Sequence, residues 1–469
     1  MAISISFFGA AGTVTGSKHL IEVDGRCILL DCGMSQGEGP ESDKRNRSFG
    51  FDPGDIDVLV LSHAHIDHSG LLPRLVSEGF RGTVWCTPAT RDLSAIMLAD
   101  SAHIQESDHE FDTKRARKQG RRPEWPEPLY TEEDVQPAMA LFQTLPYNKK
   151  HVIAKGVELT FTDAGHILGS AAVHLAIDQP DGVKHISFTG DVGRYVDRLL
   201  PDPAPFPQCD VLICESTYGD RDHAPIEVAH DELLQHVHRV CVEQQGKLLI
   251  PAFSIGKTQE ILYTLNELSN AGKLPRIPVF VDSPLSFNAT NIYREHSKLL
   301  QEDVRAQLER DPDLFGFPGV QWVHKAEQSK ALNTRTEPCI IIAASGMMEA
   351  GRIRHHLRYN LHDEKNAVLV VGFCAPGSLG AKLVEGASEV RIFGDTIPVR
   401  AAILRMDFYS AHAGQTELMR YISCQDPSKV QRTFLVHGIE RGLTALKAKC
   451  EAAGFKNVVV PKRGDRFEL

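Results

Sequence analysis

Short apolar runs punctuate this chain at two different rhythms. His19-Leu-Ile-Glu-Val23 and Arg26-Cys-Ile-Leu-Leu30 read as strands separated only by Asp24-Gly25, the two-residue chemistry of a type I′ hairpin. Strand-length runs then alternate with helical stretches: Asp57 to Leu61, a helix from about Gly70 to Glu78, Gly82 to Cys86, and a long amphipathic stretch from Thr90 to Arg117. Between Gln119 and Tyr130, three prolines and several charges surround Trp125, which predicts an exposed excursion. A helix resumes from Thr131 to Phe142, with Pro137 set against its continuity.

The second rhythm begins near Cys209. Strands at Val211 to Cys214, Lys247 to Ile250, Val279 to Val281, Cys339 to Ala343 and Ala367 to Val371 are spaced by helix-length segments such as Thr258 to Ala271 and Thr290 to Glu309. Such alternation predicts a mostly parallel sheet covered on both faces. From about Arg400 the strand-rich pattern of the first part returns, with Ala401 to Met406, a helix at Thr416 to Ile422, and Thr433 to Val436. At 469 residues and 42% hydrophobic the chain exceeds the size of one ordinary core, and no linker or repeat divides it. An α/β domain interrupted by an inserted second α/β domain is the expected organisation.

Composition narrows the function classes. A net charge of −10 argues against indiscriminate polyanion binding, yet basic residues occupy six of the nine positions in Lys114-Arg-Ala-Arg-Lys-Gln-Gly-Arg-Arg122. Smaller basic clusters lie at Lys44-Arg45-Asn-Arg47 and Arg352-Ile-Arg354-His-His-Leu-Arg358. The N-terminus lacks a basic, apolar leader pattern and no run of eighteen apolar residues occurs, so a soluble cytoplasmic protein without a membrane span is expected. The 10 cysteines are scattered without a CxxC pair and read as reduced, buried thiols.

Chemistry concentrates in Ser62-His-Ala-His-Ile-Asp-His-Ser-Gly70, directly behind Val58-Leu-Val-Leu61. Imidazole nitrogen and carboxylate oxygen suit zinc. His63 and His65 alternate by two, so in an extended segment they point the same way, while Asp67 and His68 follow on the turn into a helix. One short loop could thereby feed two adjacent metals. Completing ligands must come from strand ends facing the same edge: His166, flanked by Gly165 and Gly169; Asp191, after Ile186-Ser-Phe-Thr189; His437, after Phe434-Leu-Val436; and Asp31, after Ile28-Leu-Leu30, has the same setting.

HxHxDH after a strand, with an upstream Asp, a downstream His, a downstream Asp and a last His, resembles the metallo-β-lactamase superfamily. Glu215-Ser-Thr-Tyr-Gly-Asp220, Pro251-Ala-Phe-Ser-Ile-Gly-Lys-Thr-Gln-Glu260, Val281-Asp-Ser-Pro-Leu285, Ala344-Ser-Gly-Met-Met348 and Gly372-Phe-Cys-Ala-Pro-Gly-Ser-Leu-Gly380 are similar to its β-CASP subfamily. The resemblance implies an αββα sandwich at 1–208 and 399–469 with an inserted β-CASP α/β cap at 209–398. It implies two zinc ions, His63, His65 and His166 holding one, Asp67, His68 and His437 the other, and Asp191 bridging. Asp31 would orient a ligand histidine. Glu215 and His412 match the subfamily's motifs A and B, His412 as general acid and Glu215 as the carboxylate that orients it; Asp67 and Asp31 belong with them in the catalytic set.

Two divalent ions about 3.5 to 4 Å apart share a hydroxide and clamp an in-line displacement, which is what a phosphodiester requires. His437 at motif C implies RNA. Phosphate positioning is expected from Ser345 and Gly346, with Lys257, Arg352 and Arg354 supplying charge. The resulting reading is a zinc ribonuclease of single-stranded RNA, mainly endonucleolytic because the chain closes shortly after His437, with 5′-exonucleolytic trimming as a further mode and homodimerisation as a trait of similar proteins. The competing readings are a hydrolase of a small ester or thioester, which needs no long insertion, and a non-catalytic scaffold, which would have lost ligands.

Overall fold

In the computed structural model, which describes residues 3–37, 39–223, 229–372, 374, 377–406 and 410–469, the buried strands part their side chains between two cores. Ile28, Leu30, Val58 and Val60 join one core, while Leu29 and Leu59 turn to the opposite face among Leu71, Leu72, Leu75 and Leu98. In a second sheet Val211, Ile213, Phe434 and Val436 share that first core, and Leu212, Cys214 and Leu435 turn outward to Leu418, Tyr421, Leu443 and Leu446. Two sheets face to face with helices outside each make an αββα sandwich, and burial on both faces explains why these strands read as continuous apolar runs.

Both sheets have seven strands. The first runs Arg466–Glu468, Ile3–Gly9, Lys18–Val23, Arg26–Leu30, Val58–Val60, Thr83–Cys86, Phe142–Thr144; the second runs Val458–Val459, Arg432–Val436, Val211–Glu215, Gly182–Phe188, Ala171–Gln179, Val157–Asp163, Lys150–Ala154. The hairpin at Asp24-Gly25 forms as expected, both residues at positive φ and Val23 paired with Arg26. The long helix spans Pro88–Lys118, so the run from Lys114 begins in its exposed last turn. In the segment after it, Trp125 is half-buried with the Arg47 guanidinium 4.3 Å above its ring.

The second unit carries a six-stranded sheet in the order Val320–Trp322, Val279–Val281, Cys339–Ala343, Lys247–Pro251, Ala367–Val370, Ala402–Arg405, with every pairing parallel. This is the parallel sheet expected of the insertion, but two strands change places relative to the sequence reading. Val211–Glu215, expected in the cap, pairs with Gly182–Phe188 and Arg432–Val436 in the sandwich. Ala402–Arg405, expected in the sandwich, pairs with Ala367–Val370. The compact units are accordingly Met1–Tyr195, Asp202–Asp222 and His412–Leu469 in one, and Val196–Pro201 and His223–Ala411 in the other, in place of boundaries at 208/209 and 398/399.

Helix boundaries also shift. The helix expected from Gly70 to Glu78 forms over Leu72–Ser77, and a separate short helix, Ile66–Ser69, precedes it. The helix expected over Thr290 to Glu309 begins earlier, where Ser283 caps Pro284–Glu295, and gives way at His296 to a 3-10 turn, Ser297–Leu299, and a separate short helix, Glu302–Gln307. Among the described residues no helix is long and apolar enough to cross a membrane, and all ten cysteines are free thiols.

Candidate metal centre

The loop behind Val58–Val60 is stitched into place by its backbone. Ser17 N–H donates to Asp67 O at 2.8 Å, Cys32 N–H to His68 O at 2.7 Å and Met34 N–H to Ile66 O at 2.9 Å. Gly33 makes this approach possible, because a Cβ there would lie 1.6 Å from the Asp67 carbonyl oxygen. His65 ends the extended stretch and caps Ile66–Ser69, so His63 and His65 point one way while Asp67 and His68 leave from the first turn. Asp31 and His437, each at the end of a sandwich strand, adopt positive φ of 58° and 52°, a conformation that short polar and imidazole side chains reach more readily than most.

His63, His65, His166 and Asp191 form one cluster whose candidate ligand atoms all lie within 4.8 Å. His63 Nε2 is 3.2 Å from His65 Nδ1, His166 Nε2 is 3.1 Å from the same atom, and both Nε2 atoms are 3.6 Å from Asp191 Oδ2. Burial, despite neighbouring carboxylates, holds His63 well below the ordinary imidazole range and His65 down to about 4, so both are neutral. Nitrogens around a tetrahedral zinc stand roughly 3.3 Å apart, given Zn–N bonds near 2.0 to 2.1 Å. The spacing of the triad fits that ion.

Asp67, His68 and His437 form the second cluster. His68 Nδ1 lies 2.7 Å from Asp31 Oδ2, which fixes a proton there and makes Nε2 the atom that would face a metal; Nε2 lies 3.2 Å from His437 Nε2. Thr217 Oγ1, 3.0 Å from His437 Nδ1, plays the matching part on the other ring. Asp67 Oδ2 stands 3.4 Å from His437 Nε2, and Asp191 joins the clusters through Oδ2 at 3.3 Å from His68 Nε2 and Oδ1 at 3.5 Å from His437 Nδ1. Two imidazoles and two carboxylates converging at these distances suit a cation. Burial opposes the charge on Asp67 and Asp191, yet the surrounding histidines hold Asp67 down to about 2 and Asp191 well below the carboxylate range. Burial likewise opposes a charge on His68, but Asp191, Asp31 and Asp67 raise it well above the imidazole range. The buried carboxylates thus demand positive charge at the position divalent ions would supply it. Asp191 Oδ1 is buried with no hydrogen-bond donor among the described residues, as a ligand oxygen would be.

Beside the clusters, Glu215 is fully buried at the end of Val211–Glu215 and accepts from Val192 N–H at 2.6 Å and Thr217 N–H at 3.2 Å. His412 Nδ1 is 3.3 Å from Glu215 Oε1 and 3.8 Å from Asp191 Oδ2, with 22% of its side chain exposed. Burial works against its charge, but Glu215 and Asp191 raise it to about 9. These distances also make Asp191, Glu215, His412 and His437 a third group compact enough for a metal.

All ten sandwich residues singled out in the sequence therefore meet at one edge of the two sheets, whereas the five expected phosphate contacts belong to the second unit. Two of those are corrected by their partners. Lys257 is buried with Nζ 2.8 and 2.9 Å from the Glu260 carboxylate oxygens, and Arg352 spends its guanidinium on Asp282 Oδ1 at 2.6 Å and on the carbonyls of Val323 and His324. Both cations are structural ties. Ser345 Oγ interacts with the Ala350 backbone, and Gly346 packs against Phe253. Within the motif at 372–380, residues 373, 375 and 376 lie outside the described residues.

Sequence reasoning passed over three hydroxyls. Ser62 Oγ donates to Asp31 at 3.0 Å and lies 3.1 Å from His63 Nδ1, Ser17 Oγ donates to Asp31 at 3.1 Å, and Thr217 steadies His437. Ser62 and Thr217 adjoin motif residues, which was the one available signal.

Comparison with known proteins agrees with this geometry. Residues 12–222 match the metallo-beta-lactamase superfamily, 258–383 the Beta-Casp domain, and 396–461 the Zn-dependent metallo-hydrolase RNA specificity domain. The chain is 37% identical over 439 residues to a ribonuclease of Thermus thermophilus, covering 94% of each. It is 32% identical to an RNase J-like protein of Methanocaldococcus jannaschii, covering 93% of this chain and 92% of that one. To a transcription termination factor, FttA, of Methanosarcina mazei it is 30% identical, covering 97% of this chain and 71% of that one. With the sandwich, the inserted parallel sheet and the paired ligand clusters in place, the chain belongs to the metallo-β-lactamase superfamily and, within it, to the β-CASP group.

Proposed function

We propose that this chain is a zinc-dependent ribonuclease that hydrolyses phosphodiester bonds of single-stranded RNA, chiefly at internal positions. The observation that carries the reading is the pair of buried donor clusters joined by Asp191, with Glu215 and His412 beside them. His63, His65 and His166 would hold one zinc, Asp67, His68 and His437 the other, with Asp191 between them. Bound there, the ions would supply Lewis acidity and a water acidified towards about pH 7.

The remaining work falls to the protein. Asp31 keeps the His68 proton on Nδ1, and Ser62 ties Asp31 to the neighbouring His63. Glu215 holds the His412 Nδ1 proton, turning the opposite ring edge and its Nε2 proton towards a leaving oxygen. Val192 and Thr217 N–H groups fix Glu215 in turn, so the imidazole is oriented before substrate arrives. The relatives named as a ribonuclease and an RNase J-like protein support RNA as the substrate.

Incubating zinc-loaded protein with 5′-labelled single-stranded RNA, beside the matching DNA and an Asp67→Ala variant, tests the reading, with metal analysis expected to find about two zinc ions per chain. Internal RNA fragments absent from the variant are expected. Release of labelled mononucleotides alone would replace the endonucleolytic mode with a 5′-exonucleolytic one. Intact RNA alongside hydrolysis of a small thioester would overturn the reading.

A further inference from the structure

The parallel sheet of the second unit reverses its winding between two neighbouring strands. The chain leaves Lys247–Pro251 for Val279–Val281 on one side, but leaves the adjacent Cys339–Ala343 for Ala367–Val370 on the other. Right-handed crossovers then carry the two connections to opposite faces of the sheet at the carboxyl ends of these strands. Open α/β sheets bind ligands at such switch points.

Phe253 lies there, two residues beyond Pro251, with 36% of its surface exposed. A solitary exposed aromatic is ordinary; the backing of this ring is not. A Cβ on Gly346, in the loop after Cys339–Ala343, would stand 2.8 Å from both Cδ2 and Cε2, and one on Gly372, beyond Ala367–Val370, would stand 3.8 Å from Cε2. Bare backbone from two neighbouring strand ends therefore supports the ring. Cys374 closes on the same support, its Sγ 4.0 Å from the Gly346 carbonyl. A part-exposed aromatic ring on a glycine support suits the flat face of a base.

We propose that Phe253, backed by Gly346, is a stacking platform for one base of a bound RNA strand. The proposal rests on the ribonuclease reading and gives Gly346 a different part from the phosphate contact expected of it. Stacking tolerates any base, so it supplies affinity without sequence preference.

The test measures binding of a phosphorothioate-linked oligoadenylate to the zinc-loaded protein and to Phe253→Ala, Phe253→Leu and Phe253→Trp variants, with hydrolysis of bis(p-nitrophenyl) phosphate, which has no base, as the reference activity. Loss of the ring should weaken binding about 10-fold to 100-fold in both the Ala and Leu variants, leave the reference hydrolysis unchanged, and disappear as an effect when the stacked nucleotide is made abasic. The Trp variant should bind as wild type, its fluorescence quenched by the oligoadenylate. Full binding by the Ala variant, or full rescue by Leu, would overturn the platform while leaving the RNA reading in place. Wild-type protein that hydrolyses the reference diester but binds no oligoadenylate would overturn the RNA reading itself.

Discussion

Asp31→Asn is the substitution whose effect the geometry specifies most closely. The Asp31 Oδ1 atom accepts from Ser62 N–H at 2.8 Å, while Oδ2 lies 2.7 Å from His68 Nδ1 and accepts from the Ser62 and Ser17 hydroxyls at 3.0 and 3.1 Å. An asparagine that keeps its oxygen on the backbone amide presents NH2 to His68 Nδ1. His68 then satisfies that donor only by moving its own proton to Nε2, the atom that faces His437 and Asp191. A ligand lone pair is lost without any change in side-chain volume. A hydrogen bond to a charged group contributes about 1.5–3 kcal/mol, and each 1.4 kcal/mol is tenfold, so zinc at the second cluster should weaken about 10-fold to 100-fold. Zinc at the first cluster, whose histidines do not touch Asp31, should be retained. Metal content after dialysis against graded chelator would show one ion lost early and one held as in wild type. Equal retention of both ions would refute the tautomer argument, and equal loss of both would show that Asp31 holds up the whole loop.

Three further outcomes follow from other parts of the structure. His412→Ala should lower kcat by about 100-fold or more while zinc content stays at the wild-type value, as single-turnover cleavage and metal analysis would register; lost zinc would make His412 a ligand. Gly33→Ala places a methyl against the Asp67 carbonyl and should expel the ligand loop, seen as reduced metal content with the far-ultraviolet dichroism of a folded chain. His174, buried between the Thr162 and Ser187 hydroxyls, is lowered by burial to about 3. Below pH 6.5 the unfolded chain binds a proton that the native imidazole refuses, so stability falls as pH falls from 6.5 towards 3, by about 2 kcal/mol at pH 5. Urea midpoints at pH 7.5 and 5 should diverge in wild type and diverge less in His174→Gln.

Parts of this were legible without coordinates because they are local. Asp24-Gly25 encodes its hairpin in the left-handed preference of two residues, and His63 to His68 encodes ligands for two clusters because two-residue and helical periodicities meet within six positions. Other parts were not. Val211–Glu215 and Ala402–Arg405 are apolar strands like their neighbours, and nothing in such a run states which sheet will accept its hydrogen bonds. Lys257 and Arg352 look like phosphate contacts in a motif, but Glu260 and Asp282 absorb their charge, and the Asp282 partner is 70 residues away.

The sequence by itself determined the α/β class, the strand ends that carry the candidate ligands, and the types of those side chains, since these depend on side-chain chemistry and on spacing over a few residues. Only the tertiary structure decided which imidazole nitrogen faces which cluster, that Ser62, Ser17 and Thr217 set those orientations, and that a phenylalanine lies on bare backbone at a strand crossover. The reason is physical: a hydrogen bond or ring contact constrains atoms to within a few tenths of an ångström, and chain segments far apart in sequence reach that precision only after both sheets have packed.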